Sequence, residues 1–165
     1  MNVMTEEFTE LRVLKRTRKN PQDGDIFVME PKENLFYFGK VINDSVESKN
    51  PFFKGWYLVY LYNTPSDTKQ IPDNLDPNNL LIPPMVINKQ GWLKGYFETI
   101  GSEIVTDEEK SIDFGFWDMT REKFYSLSGE VLKKKPEIFT TYGLISYGGI
   151  GRGIHRLLSG QPHNL

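Results

Sequence analysis

Two short apolar runs separated by a polar break constrain this chain more than any other feature. They lie in "PQDGDIFVMEPKENLFYFGKVIND", residues 21–44. Turn-forming residues stand before the first run (Pro21 and Gly24) and between the two ("EPKEN"). Inside the first run, Ile26 and Val28 alternate with Phe27 and Met29, the period of a strand with two faces. The segment therefore reads as a β-hairpin. Gly24 supplies the backbone freedom of a tight turn, and the Asp25 carboxylate can accept a hydrogen bond from nearby backbone N–H groups. Gly39, inside the second run, predicts a bulge or a tight bend.

The same pattern recurs downstream. "GWYLVYLYN" reads as a third strand, and the polar stretch 64–79 as a loop. "LLIPPMVIN" reads as two extended pieces hinged at Pro83 and Pro84, which cannot donate ladder hydrogen bonds. "GWLKGYFETI" is expected to be a strand kinked at Gly95, "SIDFGFWDM" and "EKFYSLS" a hairpin, and "EIFTTYGLISYG" a last strand. "IGRGIHRLLSG" predicts a short C-terminal helix stopped by Gly160. Thr5 to Leu11 predicts a short N-terminal helix, and the tail from about residue 161 is expected to be loose. The whole, residues 1–165, is expected to be one mainly β domain: a curled antiparallel sheet, or a small barrel-like one, with a short C-terminal helix.

Composition narrows the function classes. The chain has no cysteine, so thiolate metal sites, disulfides and cysteine nucleophiles are excluded together. The start, "MNVMTEEFTE", has no cationic region followed by an apolar run, and no apolar stretch reaches membrane length. The expectation is a cytoplasmic chain with no membrane partner. Net charge is only −2, yet it is unevenly spread. Residues 12–19, "RVLKRTRK", carry five basic groups and no acidic one. Residues 98–118 carry seven carboxylates against Lys110 alone, a local charge of −6.

No catalytic constellation emerges. The only histidines, His155 and His163, lie near the C-terminus without metal-ligand spacing. "YGGIGRGIHRLL" offers glycines ahead of a helix, but Ile154 occupies the place of the third glycine in the dinucleotide fingerprint. Asp107, Glu108 and Glu109 are adjacent carboxylates on an expected loop, with nothing to separate their pKa values for acid–base work. The aromatics of 36–38, 56–62 and 114–125 read as core rather than as a base-stacking platform, because the chain as a whole is acidic. The reading is a protein without catalytic residues, metal or cofactor.

Several stretches together resemble the immunity protein 26 family of bacterial polymorphic-toxin systems. They are "KRTRKNPQDGDIFVME", "FYFGKVI" and "LLIPPMVINKQGWLKGYFETIG", with Gly24, Asp25, Gly39, Gly91 and Trp92 as markers of the fold. The resemblance implies a mostly β bacterial protein that binds and neutralises a toxin made by the same bacterium or its kin. Toxins of such systems are often nucleases, whose clefts must attract phosphate. The charge pattern then nominates an acidic contact surface: Glu103, Asp107, Glu108, Glu109, Asp113 and Asp118, with Phe116 and Trp117 as aromatic anchors.

Two other classes stay open at this point. "GDI" opening into a small sheet also resembles small-barrel endoribonuclease toxins, although the arginine–proline entry to their next strand is missing. A non-catalytic module binding peptide or nucleic acid is the third. Direct nucleic-acid binding is not expected at this net charge.

Overall fold

In a computed structural model, which describes residues 11–165, the hairpin of the first two runs is the centre of a five-stranded antiparallel sheet. Strands β1 (Asp25–Lys32), β2 (Leu35–Asn43), β3 (Tyr57–Tyr62) and β4 (Leu80–Ile87) follow one another as a meander. Strand β5 (Glu98–Ser102) returns to pair with the free edge of β1, giving the order β4-β3-β2-β1-β5. The sheet stays open and does not close into a barrel. A second sheet has the order β7-β6-β8, built from β6 (Phe114–Asp118), β7 (Lys123–Tyr125) and β8 (Ile138–Thr141), with β6 and β8 parallel. Among the described residues no helix is long and apolar enough to cross a membrane.

The turn between β1 and β2 is Glu33–Asn34, and Asn34 takes a positive φ of 62°, which its short polar side chain tolerates. Pro31 sits where the β1–β2 register shifts, a place where its missing N–H costs no ladder bond. Gly39 marks no bulge. It pairs in register with Phe27, and an added Cβ would lie 2.3 Å from Cζ of that ring. The glycine is needed so that Phe27 can lie across the neighbouring strand. Pro83 and Pro84 do not split β4 in two; the strand runs on, with a register shift where they sit.

Strand alternation sorts the side chains onto two buried faces. Phe27, Met29, Tyr37, Val41, Val59 and Leu61 face helix α3 (Tyr147–Leu158), whose Ile150 and Ile154 are fully buried. Leu58, Tyr60, Tyr62 and Ile42 face the other way, toward Phe116 of the second sheet. Burying each large apolar side chain contributes about 1.5–3 kcal/mol, so a sheet covered on both sides is the main store of stability.

Three segments differ from expectation. "GWLKGYFETI" is not one strand: α1 (Gln90–Leu93) comes first, Gly95 turns the chain at φ +85°, and only then does β5 begin. Trp92 is driven into the core, with its ring centroid 5.0 Å from that of Phe27 and 5.1 Å from that of Phe97. The glycines before the C-terminal helix are part of it. An added Cβ on Gly153 would lie 3.0 Å from Leu165. The tail expected to be loose folds back accordingly, with Leu165 against the core and Arg156 Nε donating to the Pro162 carbonyl at 2.7 Å. The expected helix at Thr5–Leu11 falls almost wholly outside the described residues.

Candidate functional site

On the second-sheet side, Phe36, Phe38, Lys40 and Ile42 follow one another at strand spacing, and Lys40 breaks the apolar series. Its side chain is only 4% exposed. A lysine so placed needs an anion and further acceptors, since an isolated buried charge is strongly destabilising. The anion is Glu109, on the one-turn helix α2 (Asp107–Lys110) that crosses this face. Lys40 Nζ donates to Glu109 Oε1 at 2.8 Å and to the Ile104 carbonyl at 2.9 Å. Tyr62 donates to Glu109 Oε2 and Tyr60 to the Glu109 carbonyl, both at 2.6 Å.

Local sequence completes the lock. Thr106 caps α2, its Oγ1 accepting from the Glu109 N–H, while Glu109 Oε1 accepts from the Thr106 N–H. Burial pushes the Glu109 carboxyl up, but the hydrogen bonds from Lys40, the Thr106 N–H and Tyr62 outweigh it and hold the group below the usual carboxylate range. Burial, and then the Glu109 charge, drive the Tyr60 and Tyr62 hydroxyls well above the usual tyrosine range. Both phenols therefore remain donors.

The lock displays its neighbours. Glu103, Asp107 and Glu108 point to solvent, and Ile104 between them is 85% exposed although its carbonyl is gripped by Lys40. Beside them an open groove of about 630 Å³ is lined by Asn63, Asn74, Asp76, Asn79 and Glu108. Asn78 Nδ2 donates to Glu108 Oε2 at 3.2 Å, joining the groove to α2. Among the described residues none of Glu103, Asp107, Glu108 and Asp113 forms an ion pair. No three His, Asp or Glu side chains among them gather to hold a metal ion.

The residues nominated from sequence are therefore divided. Glu103, Asp107 and Glu108 share one exposed surface. Asp113 is exposed and accepts the Glu137 N–H at 3.1 Å. Glu109 faces inward as the anchor, and Phe116 is fully buried against Phe53 at 4.8 Å, so neither is open to a partner. Trp117 is half-buried on Phe124, and Asp118 is committed to Arg121 at 2.8 Å in a turn. Gly24 (φ +88°) accepts the Glu103 N–H with its carbonyl, Asp25 accepts the Gln22 N–H, and Gly91 leaves room for Phe97, whose ring an added Cβ would meet at 2.3 Å. Trp92 donates through Nε1 to Thr99 at 3.1 Å.

Lys40, Tyr60 and Tyr62 escaped the sequence reading. Two signals pointed to them: a lysine at a core register position, and the Thr106-x-x-Glu109 spacing of a capping box.

The basic stretch forms a second surface. Its backbone is bonded to α1 and its exit: Leu14 N–H donates to Gly95 O at 2.7 Å and Thr17 N–H to Trp92 O at 3.1 Å. Lys89 Nζ holds the Arg18 carbonyl and the Asn20 side chain. Leu11 is buried beneath, and Arg12, Lys15, Arg16, Arg18, Lys19 and the adjoining Lys94 are exposed. A cavity of about 740 Å³ opens along the stretch, lined by Lys15, Thr17, Lys19, Glu98 and Thr99 among others.

Set against known proteins, the chain matches a family model described as Immunity protein 26 over residues 22–126, from the turn before β1 to the end of β7. No curated protein and no solved structure matches it.

Proposed function

The chain belongs to the immunity protein 26 family, and from that premise we propose that it acts in the bacterial cytoplasm by seating a cognate toxin on the acidic surface around Ile104. The observation that carries this reading is the 85% exposure of Ile104 on a segment tied down by Lys40 and Glu109. An aliphatic side chain left in water at the centre of three unpaired carboxylates costs solubility and adds nothing to the fold. It is suited to a partner with an apolar seat inside a basic rim. A nuclease cleft, basic because it must attract phosphate, has that character. Inhibition needs no chemistry from this chain. It needs a rigid acidic surface that lowers the ordering cost of binding.

Co-expression with the product of the neighbouring toxin gene tests the role, and the wild-type chain is expected to rescue growth. Stopped-flow association tests the surface. Reversing Glu103, Asp107 and Glu108 to lysine should slow association by about tenfold or more at low salt and flatten its salt dependence. An unchanged association rate would remove this surface from the interface.

A further inference from the structure

The basic stretch is too well built to be incidental solvated surface. Six cationic side chains, Arg12, Lys15, Arg16, Arg18, Lys19 and Lys94, stand exposed on a backbone held at several points. Among the described residues only Arg12 of these six forms an ion pair, with Glu30 at 3.5 Å. A toxin with a basic cleft would be repelled by this ridge, so it needs a different occupant. Among the described residues 12–19 and Lys94 there is no aromatic on which a base could stack, and Glu98 and Asp25 line the cavity, which disfavours a polyphosphate.

A complementary surface exists on the same protein. Among the described residues Glu103, Asp107, Glu108 and Asp113 of segment 98–118 are exposed and in no ion pair, as are Lys15, Arg16, Arg18 and Lys19 of the ridge. Within one copy Glu98 of this segment lines the ridge's cavity, whereas Glu103, Asp107 and Glu108 form no ion pair with the ridge among the described residues. The ridge's backbone is bonded to α1 and its exit, whereas α2 is bonded to Lys40, Tyr60 and Tyr62. No ion pair joins them among the described residues. We propose that the basic ridge of one copy docks on the acidic Glu103–Glu108 surface of a second, forming salt-sensitive head-to-tail assemblies. Each contact leaves the joined pair with one ridge and one acidic surface free, so further copies can add head to tail.

Sedimentation of the purified full chain at about 20 mM and about 300 mM salt tests this, since the Debye length falls severalfold between them. Species larger than dimers are expected at low salt and monomer at high salt. R16E/R18E/K19E and E103K/D107K/E108K should each be monomeric in low salt with an unchanged melting temperature, because all six positions are exposed. Mixing the two reversal variants should restore association, each then offering the charge the other lacks. The neutral variant R16Q/R18Q/K19Q should weaken self-association by about tenfold, which covers the case in which a reversal variant misfolds. Monomer at both salts, or assembly that survives the ridge variants, would overturn the proposal. So would a wild-type monomer whose ridge instead binds a fluorescent single-stranded RNA. The ridge and a toxin would compete for the same acidic surface, but sedimentation uses no toxin and rescue needs no self-association, so this inference and the proposed function fail separately.

Discussion

The acidic stretch 103–110 and the basic ridge are both charged stretches outside the main sheet, and the protein fastens them by different means. The acidic segment is held through side chains. Lys40 and Tyr62 reach out of two strands to the Glu109 carboxylate, and Tyr60 to the main-chain carbonyl of the same residue. The ridge is held through its main chain, by N–H groups donating to Trp92, Gly95 and Glu30, with Lys89 holding the carbonyl of Arg18. The difference matters for sequence tolerance. Main-chain bonds accept almost any side chain facing solvent, so the ridge's cations are free to be chosen for charge. A buried ion pair is intolerant: removing one partner strands the other without water.

Lys40 is where the two fastenings differ most in what a single substitution removes. Lys40→Met leaves the Glu109 charge buried and unpaired, and should destabilise the fold by about 3–5 kcal/mol in thermal or denaturant unfolding. Amide exchange should rise at residues 103–110 and stay unchanged along the ridge. Equal loss of protection in both segments would mean that they are not separately fastened.

Acid opens the same lock without mutation. The Glu109 carboxyl is held below its ordinary range, so its folded pKa is lower than its unfolded one. Its stabilisation is therefore complete above the unfolded value and is lost as pH falls through the folded value. Exchange at residues 103–110 should accelerate in that acidic window while the ridge, held mainly by main-chain bonds, keeps its protection. Protection of 103–110 that is independent of pH would contradict the assigned ion pair.

Gly95→Ala is the counterpart on the ridge. At φ +85° a side chain is strained, and its Cβ would approach the Arg16 backbone nitrogen at 3.1 Å. About 1–2 kcal/mol should be lost, with the exchange increase confined to residues near 14–17. Thr106→Ala removes only the cap of α2 and should cost about 1 kcal/mol, seen as a smaller fall in melting temperature. The smallest effect on stability belongs to Ile104→Ser, within about 0.5 kcal/mol at so exposed a position. Its affinity for the toxin should nonetheless fall. A variant that bound as tightly as wild type would show that Ile104 is idle.

Much of the fold was legible because strand signals are local. The alternation in "DIFVME", the apolar run "YLVYLY" and the turn residues between runs placed β1 to β3 and the β6–β7 hairpin, while β4 was expected as two pieces. Residues 90–97 misled for an equally physical reason. Their aromatics suit a strand, but Gly91 has no Cβ to keep Phe97 away, and Trp92 gains more from the core than from a ladder. The candidate site was half legible. Charge clustering picked out Glu103, Asp107 and Glu108, and the same argument wrongly placed Glu109 and Phe116 in water.

What the amino-acid order determined alone was periodic and short-range: where strands run, where a helix is capped, and which stretches carry charge. Which carboxylate of "TDEEK" faces inward was decided only in three dimensions. The residue that selects Glu109 is Lys40, 69 positions away and on another element. No local pattern carries that choice, because burying a charge becomes tolerable only when the sheet has already brought its counter-charge and two phenols to the same place.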